Sequence, residues 1–68
     1  MEDMVYTVKE VSIILKTNVA YVHKLRQSGL LRFLKLGSFK VRKTELERFL
    51  KEYEGKDITD PFHIKELD

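Results

Sequence analysis

Only Lys16, Thr17 and Asn18 separate two stretches whose apolar residues recur at helical spacing, and so short a junction leaves the chain few ways to fold. Upstream of it, Val8, Val11, Ile14 and Leu15 mark a first helix over about residues 8 to 15. Thr7-Val8-Lys9-Glu10 has the form of a capping box, in which the Thr7 hydroxyl accepts from the N–H of Glu10 and the Glu10 carboxylate reaches back. Tyr6, just before the cap, is placed to act as a hydrophobic staple. Two short helices meeting across so tight a turn make a helix-turn-helix.

The second helix runs from Asn18, whose side chain can accept from a free helix N–H, to Gly29, which tolerates positive φ. Val22 and Leu25 stand three apart, so one face docks on a core. Ala20, Tyr21, His23, Lys24, Arg26 and Gln27 are left for the other faces. Small, aromatic and cationic side chains are the kinds that reach phosphates and base edges in a major groove, so this segment reads as a DNA recognition helix.

After Gly29 the period changes. Leu30 to Leu36 and Phe39 to Lys43 flank Gly37-Ser38, the pattern of a β-hairpin with a two-residue turn carrying Gly first. Pairing Leu36 with Phe39 sets Lys35 opposite Lys40, Leu34 opposite Val41 and Phe33 opposite Arg42. That register gathers Leu34, Leu36, Phe39 and Val41 on a core-facing side and Lys35, Lys40, Arg42 and Phe33 on a basic outer side. Thr44-Glu45-Leu46-Glu47 reads as a second capping box, followed by Leu46, Phe49, Leu50 and Tyr53 in a third helix over about 45 to 53 that Gly55 stops. In the remainder, Asp60-Pro61 has the form of an N-cap and first helical residue, with Phe62, Ile64 and Leu67 supplying apolar surface. Three fates stay open for that tail: packing back on the domain, disorder, or docking on a partner.

Charge separates along the same boundaries. No acidic residue lies between Glu10 and Glu45, whereas Lys16, Lys24, Arg26, Arg32, Lys35, Lys40, Arg42 and Lys43 all do, although the net charge is only +2. The end of the chain reverses the sign, with Glu54, Asp57, Asp60, Glu66 and Asp68 against Lys56 and Lys65. A middle of one sign points to a polyanionic partner, with chance clustering as the plain alternative. Sixty-eight residues make one small domain. Without cysteine there is no disulfide or thiolate metal site, which fits a reducing cytoplasm. No apolar run approaches membrane-spanning length, and the acidic Met1-Glu2-Asp3 start is unlike a secretory signal. His23 and His63 lie in different elements and no glycine-rich phosphate loop is present, so neither an enzyme, a cofactor nor a small-molecule substrate is expected.

Tyr6-Thr7-Val8-Lys9-Glu10-Val11, Asn18 through Gly29, Leu34-Lys35-Leu36-Gly37, Val41-Arg42-Lys43 and Thr44 through Leu50 together resemble the excisionase family of small winged helix-turn-helix proteins. That family is related to the DNA-binding head of the mercury-resistance-type regulators. The resemblance covers about residues 5 to 51 and departs from the pattern at Thr17, at Arg26 and in a short hairpin turn without the usual arginine. It implies monomers that bind side by side on repeated double-stranded DNA sites, bend the DNA, and steer a phage or mobile-element integrase towards excision in the bacterial cytoplasm.

The expected fold is therefore α+β, a small winged helix-turn-helix of three helices with a two-stranded antiparallel β-hairpin wing over residues 5–53, followed by an acidic tail over 54–68. The candidate DNA-contacting residues are Asn18, Ala20, Tyr21, His23, Lys24, Arg26 and Gln27 on the second helix, with Lys35, Ser38, Lys40 and Arg42 on the wing. Tyr21 either packs over the turn or reaches DNA; Arg26 either contacts DNA or lies on the flank facing Glu10 or the wing; His23 is a helix-surface contact or a spectator. Two rival functions use the same residues: a transcriptional regulator or phage packaging adaptor on the same fold, and a protein-interaction module without DNA.

Overall fold

The computed structural model describes residues 4–67; the acidic Met1-Glu2-Asp3 start and Asp68 lie outside them. A short strand β1 (Val5–Thr7) leads without a break into α1 (Val8–Ile14). Thr7 ends the strand and caps the helix: its N–H donates to Glu10 Oε1 at 2.8 Å, and the Glu10 N–H donates to Thr7 Oγ1 at 3.0 Å. The expected capping box is thus present. Tyr6 packs against the core.

The turn after α1 is closed by its own backbone. Lys16 takes φ 56, the Thr17 N–H donates to the Ser12 carbonyl at 2.8 Å and the Lys16 N–H to Ile13 at 3.1 Å. This is a Schellman closure with lysine where glycine is usual. Ser12, buried in the turn, satisfies its hydroxyl by donating to the Lys9 carbonyl at 2.6 Å. Helix α2 (Val19–Ser28) then starts on Asn18, whose Oδ1 accepts from the Tyr21 N–H at 2.8 Å, and ends on Gly29 at φ 82.

The hairpin forms, in a register one residue away from that expected. Strand β2 (Leu34–Leu36) pairs with β3 (Ser38–Arg42) as Leu34↔Lys40, Lys35↔Phe39 and Leu36↔Ser38, with Gly37 alone at the tip at φ 80. Because opposite residues share a face, Lys35 joins Phe39 and Val41, and it is Lys40, not Lys35, that lies with Leu34 and Arg42. The predicted Lys35–Lys40 opposition does not exist. Val41 is fully buried, but Leu34 and Leu36, expected in the core, are 40% and 62% exposed. The sheet also has a third strand that the sequence pattern did not reveal: β1 pairs with β3 as Tyr6↔Val41, giving the order β1-β3-β2.

Helix α3 (Lys43–Glu52) follows β3 directly, with Arg42 at its N-cap and no side-chain cap. The capping box expected at Thr44–Glu47 is absent, since Thr44 and Glu47 already lie within the helix. The core is Val11, Val22, Leu25, Leu31, Val41, Leu46 and Phe49, so every helix and the central strand β3 contribute to it. Leu50 and Ile14, though at helical spacing, remain exposed.

Beyond α3 no helix forms among the described residues. The segment turns at Gly55 and makes a two-residue pair, β4 (Lys56–Asp57) with β5 (Lys65–Glu66), backed by a 2.6 Å ion pair between Lys56 and Glu66. At Asp60-Pro61 the carboxylate does accept a cap-like bond, from the Phe62 N–H at 3.0 Å, but the chain closes a turn instead of continuing as a helix. Ile58 packs against the core and Pro61 is buried, so this part of the tail lies back on the domain.

Candidate nucleic-acid interface

Burying Val22 and Leu25 fixes the rotation of α2 and with it the destination of every other side chain on the helix. With about 100° between successive residues, Ala20, Lys24 and Gln27 fall opposite the core, and all three are exposed. His23 and Arg26 fall on the flank towards the hairpin, and Tyr21 on the flank towards the tail.

The hairpin flank is organised around one ring. The Arg26 guanidinium carbon lies 4.3 Å from the centroid of Phe39, and Lys35 Nζ lies 4.7 Å from it. The rings of His23 and Phe33 meet Phe39 edge-on, at 6.2 Å and 6.1 Å. Arg26 also donates from Nε to His23 Nδ1 at 3.4 Å, a long bond that leaves its other guanidinium nitrogens available. Of the two flanks named for Arg26, it occupies the one facing the hairpin, against His23 and Phe39.

Two expected residues are engaged inside the protein. The Tyr21 hydroxyl donates to the carbonyl of Ile58, and its ring packs against the core. Burial raises the pKa of that hydroxyl, and the Asp57 charge raises it further, so Tyr21 is a neutral donor committed to the tail. Asn18, although exposed, uses its side-chain oxygen to cap α2. Lys24 remains exposed, and its charge is among those that hold the Asp60 carboxyl below its ordinary range, after the stronger effects of His63 and the Phe62 N–H. Both acidic side chains of that part of the tail therefore lie within electrostatic reach of α2.

The remaining hairpin residues divide between two faces. Lys35 points with Phe39 towards α2. Lys40, hydrogen-bonded through Nζ to Ser38 Oγ, and Arg42 occupy the other face, so the single basic outer side expected of the hairpin is split.

One group that the sequence placed only within a capping box fixes the approach of the hairpin. Glu45, in the first turn of α3, accepts from the Arg32 N–H at 2.9 Å and from Arg48 at 2.7 and 2.8 Å, and Arg48 in turn donates to the Leu30 carbonyl at 3.0 Å. The loop between α2 and β2 is thus stitched to α3. The hydrogen bond from Arg48 is the main reason that the Glu45 carboxyl ionises below its ordinary range; partial burial opposes this and the Arg32 N–H supports it. The only signal in the sequence was the Glu45–Arg48 spacing of one helical turn.

A family model described as a helix-turn-helix domain, the excisionase-type group, matches residues 5–53. Neither the comparison with curated proteins nor that with solved structures finds a match.

Proposed function

Because this chain belongs to the helix-turn-helix domain family, a family of DNA-binding domains and not of enzymes, we propose that α2 is the recognition helix of a sequence-specific double-stranded DNA-binding protein. Ala20, His23, Lys24 and Gln27 approach the base edges of the major groove. Arg26 and Lys35 grip the phosphates between helix and hairpin, while Lys40 and Arg42 follow the backbone from the far side of the hairpin, which serves as the wing. The observation that carries this reading is the Phe39 ring, which holds one cation from α2 at 4.3 Å and one from the hairpin at 4.7 Å from its centroid. Four to six phosphate contacts correspond to a slope of log K against log salt of roughly −4 to −5.

We assign the protein, within that class, to the accessory factors that direct phage or mobile-element recombination towards excision. The excisionase-type match and the small size of the reader support this. A single module buries only about 600–1,000 Å² on DNA, so useful specificity calls for several copies on repeated sites or for an integrase partner, acting in the bacterial cytoplasm where the DNA lies. A transcriptional regulator or packaging adaptor would use the same surface.

Titration of the labelled protein with duplex DNA tests the first step: amides of 18–28 and 34–42 should shift, and undisturbed amides there would refute it. A footprint tests the second. Adjacent repeated sites beside a recombination junction, with bending, are expected; a lone operator upstream of a gene would move the assignment to transcription.

A further inference from the structure

Between the start of α1, the face of α2 and the tip of the hairpin lies an open cleft of about 400 Å³. Thr7, Lys9, His23, Lys35, Ser38 and Phe39 line it, so its cations come from α1 and β2, its hydroxyls from β1 and β3 and an imidazole from α2, and no carboxylate is among its lining residues. Arg26 is held against the same ring. Two lysines lining one cleft repel each other, and an anion set between them turns that repulsion into attraction. The groups that line the cleft are those that bind phosphate as point charges and hydroxyl donors.

We propose that this cleft seats a single phosphate of the DNA backbone, shared by Lys9 and Lys35, and that Phe39 is the positioning residue that aims Lys35 at it. The proposal rests on the DNA-binding reading above and adds a contact from α1, outside the helix and wing to which that reading confines the interface. Sharing has a distinctive consequence. If two lysines neutralise one phosphate, removing either leaves the counterion release almost unchanged, and only removing both abolishes it.

The test measures fluorescence anisotropy of labelled duplex DNA with the full chain at several salt concentrations. Lys9→Gln and Lys35→Gln, both at exposed positions, are compared singly and together. Each single variant should leave the slope within about 0.3 of wild type, and the double variant should reduce it by about 0.9, with roughly fivefold weaker binding at physiological salt. Reductions of about 0.9 for each and 1.8 for both would show two independent phosphates and overturn the shared site, as would no change in the double variant. Phe39→Leu, acting through Lys35, should be nearly silent alone and reduce the slope by about 0.9 when combined with Lys9→Gln, whereas Phe39→Tyr with Lys9→Gln should behave as Lys9→Gln does; a wild-type slope for Phe39→Leu with Lys9→Gln would remove Phe39 from its positioning role. Inorganic phosphate alone should shift the Lys9 and Lys35 amides only weakly; saturation at low millimolar phosphate would make the cleft a free-anion site instead. A wild-type chain that fails to bind duplex DNA at low salt would defeat the parent reading and this one together, while normal binding with unaltered slopes defeats this one alone.

Discussion

Removing the carboxylate of Glu45 should loosen the hairpin without touching the proposed DNA surface. Glu45→Ala deletes two bonds from Arg48 and one from the Arg32 N–H, and frees Arg48 from the geometry in which it reaches the Leu30 carbonyl. Hydrogen bonds to charged groups contribute about 1.5–3 kcal/mol each when sheltered, and exposed ion pairs about 0–1. The Arg48 side chain is 41% exposed and that of Glu45 only 14%, so the pair belongs near the lower end, and water can replace the carboxylate at the Arg32 N–H. A total of about 2 kcal/mol follows, or roughly 8–16 °C in melting temperature for a domain of this size. The pH dependence provides the sharper check. The folded Glu45 ionises below its unfolded value, so its contribution is complete above that value and drains away as pH falls through the folded one. Melting curves followed by circular dichroism should therefore show a wide gap between wild type and variant at pH 7 and a narrow one near pH 2. A gap under about 2 °C at pH 7, or one that persists in acid, would refute the reasoning.

Other substitutions probe the remaining contacts. Lys16→Gly should stabilise the turn by about 0.5–1 kcal/mol, because the left-handed backbone there disfavours a side chain; a lower melting temperature would mean that the lysine side chain contributes something of its own. Tyr21→Phe should cost about 0.5–1.5 kcal/mol and speed amide exchange in residues 56–66, and unchanged exchange would show that the tail is held by other contacts. Leu25→Ala, at a fully buried site, should cost about 3–5 kcal/mol and leave a domain this small largely unfolded at 37 °C, as proton spectra would report. Lys24→Ala should weaken binding by about 1–3 kcal/mol and blur discrimination between DNA sites, whereas Lys40→Ala should weaken all sequences alike; competition binding with several duplexes separates the two.

What the sequence made legible was local. Thr7, Glu10, Asn18 and Gly29 act through bonds to their own near neighbours, and the helices they bound are where the pattern put them. The hairpin register depended on information from outside the hairpin. Grouping Leu34 and Leu36 with Val41 separated apolar from basic residues, but Leu31 and Phe33 compete for the same side with the opposite parity. Leu31 is 1% exposed and Phe33 packs edge-on against Phe39, which carries Lys35 inward with them. Arg26 on α2 then completes the stack on the ring, a tertiary partner that no alternation within the hairpin can indicate. The start of α3 was missed because the helix runs on directly from β3 at Lys43, which leaves Thr44 and Glu47 inside it and not at its cap. The third strand was hidden because Val5–Thr7 is too short to show a period of two. On the candidate surface, the outward set Ala20, Lys24 and Gln27 follows from Val22 and Leu25 alone, whereas the loss of Tyr21 to Ile58 needed a contact across 37 residues.

Thr7 closes the edge strand and opens α1 in the same residue, with Lys40 across the sheet from it. The edge strand of the flap's sheet thus runs into the first helix with no linker between them. Anyone grafting a longer or differently angled flap onto this scaffold has to transplant residues 5–7 along with it, or the new flap will arrive without the edge that sets its tilt.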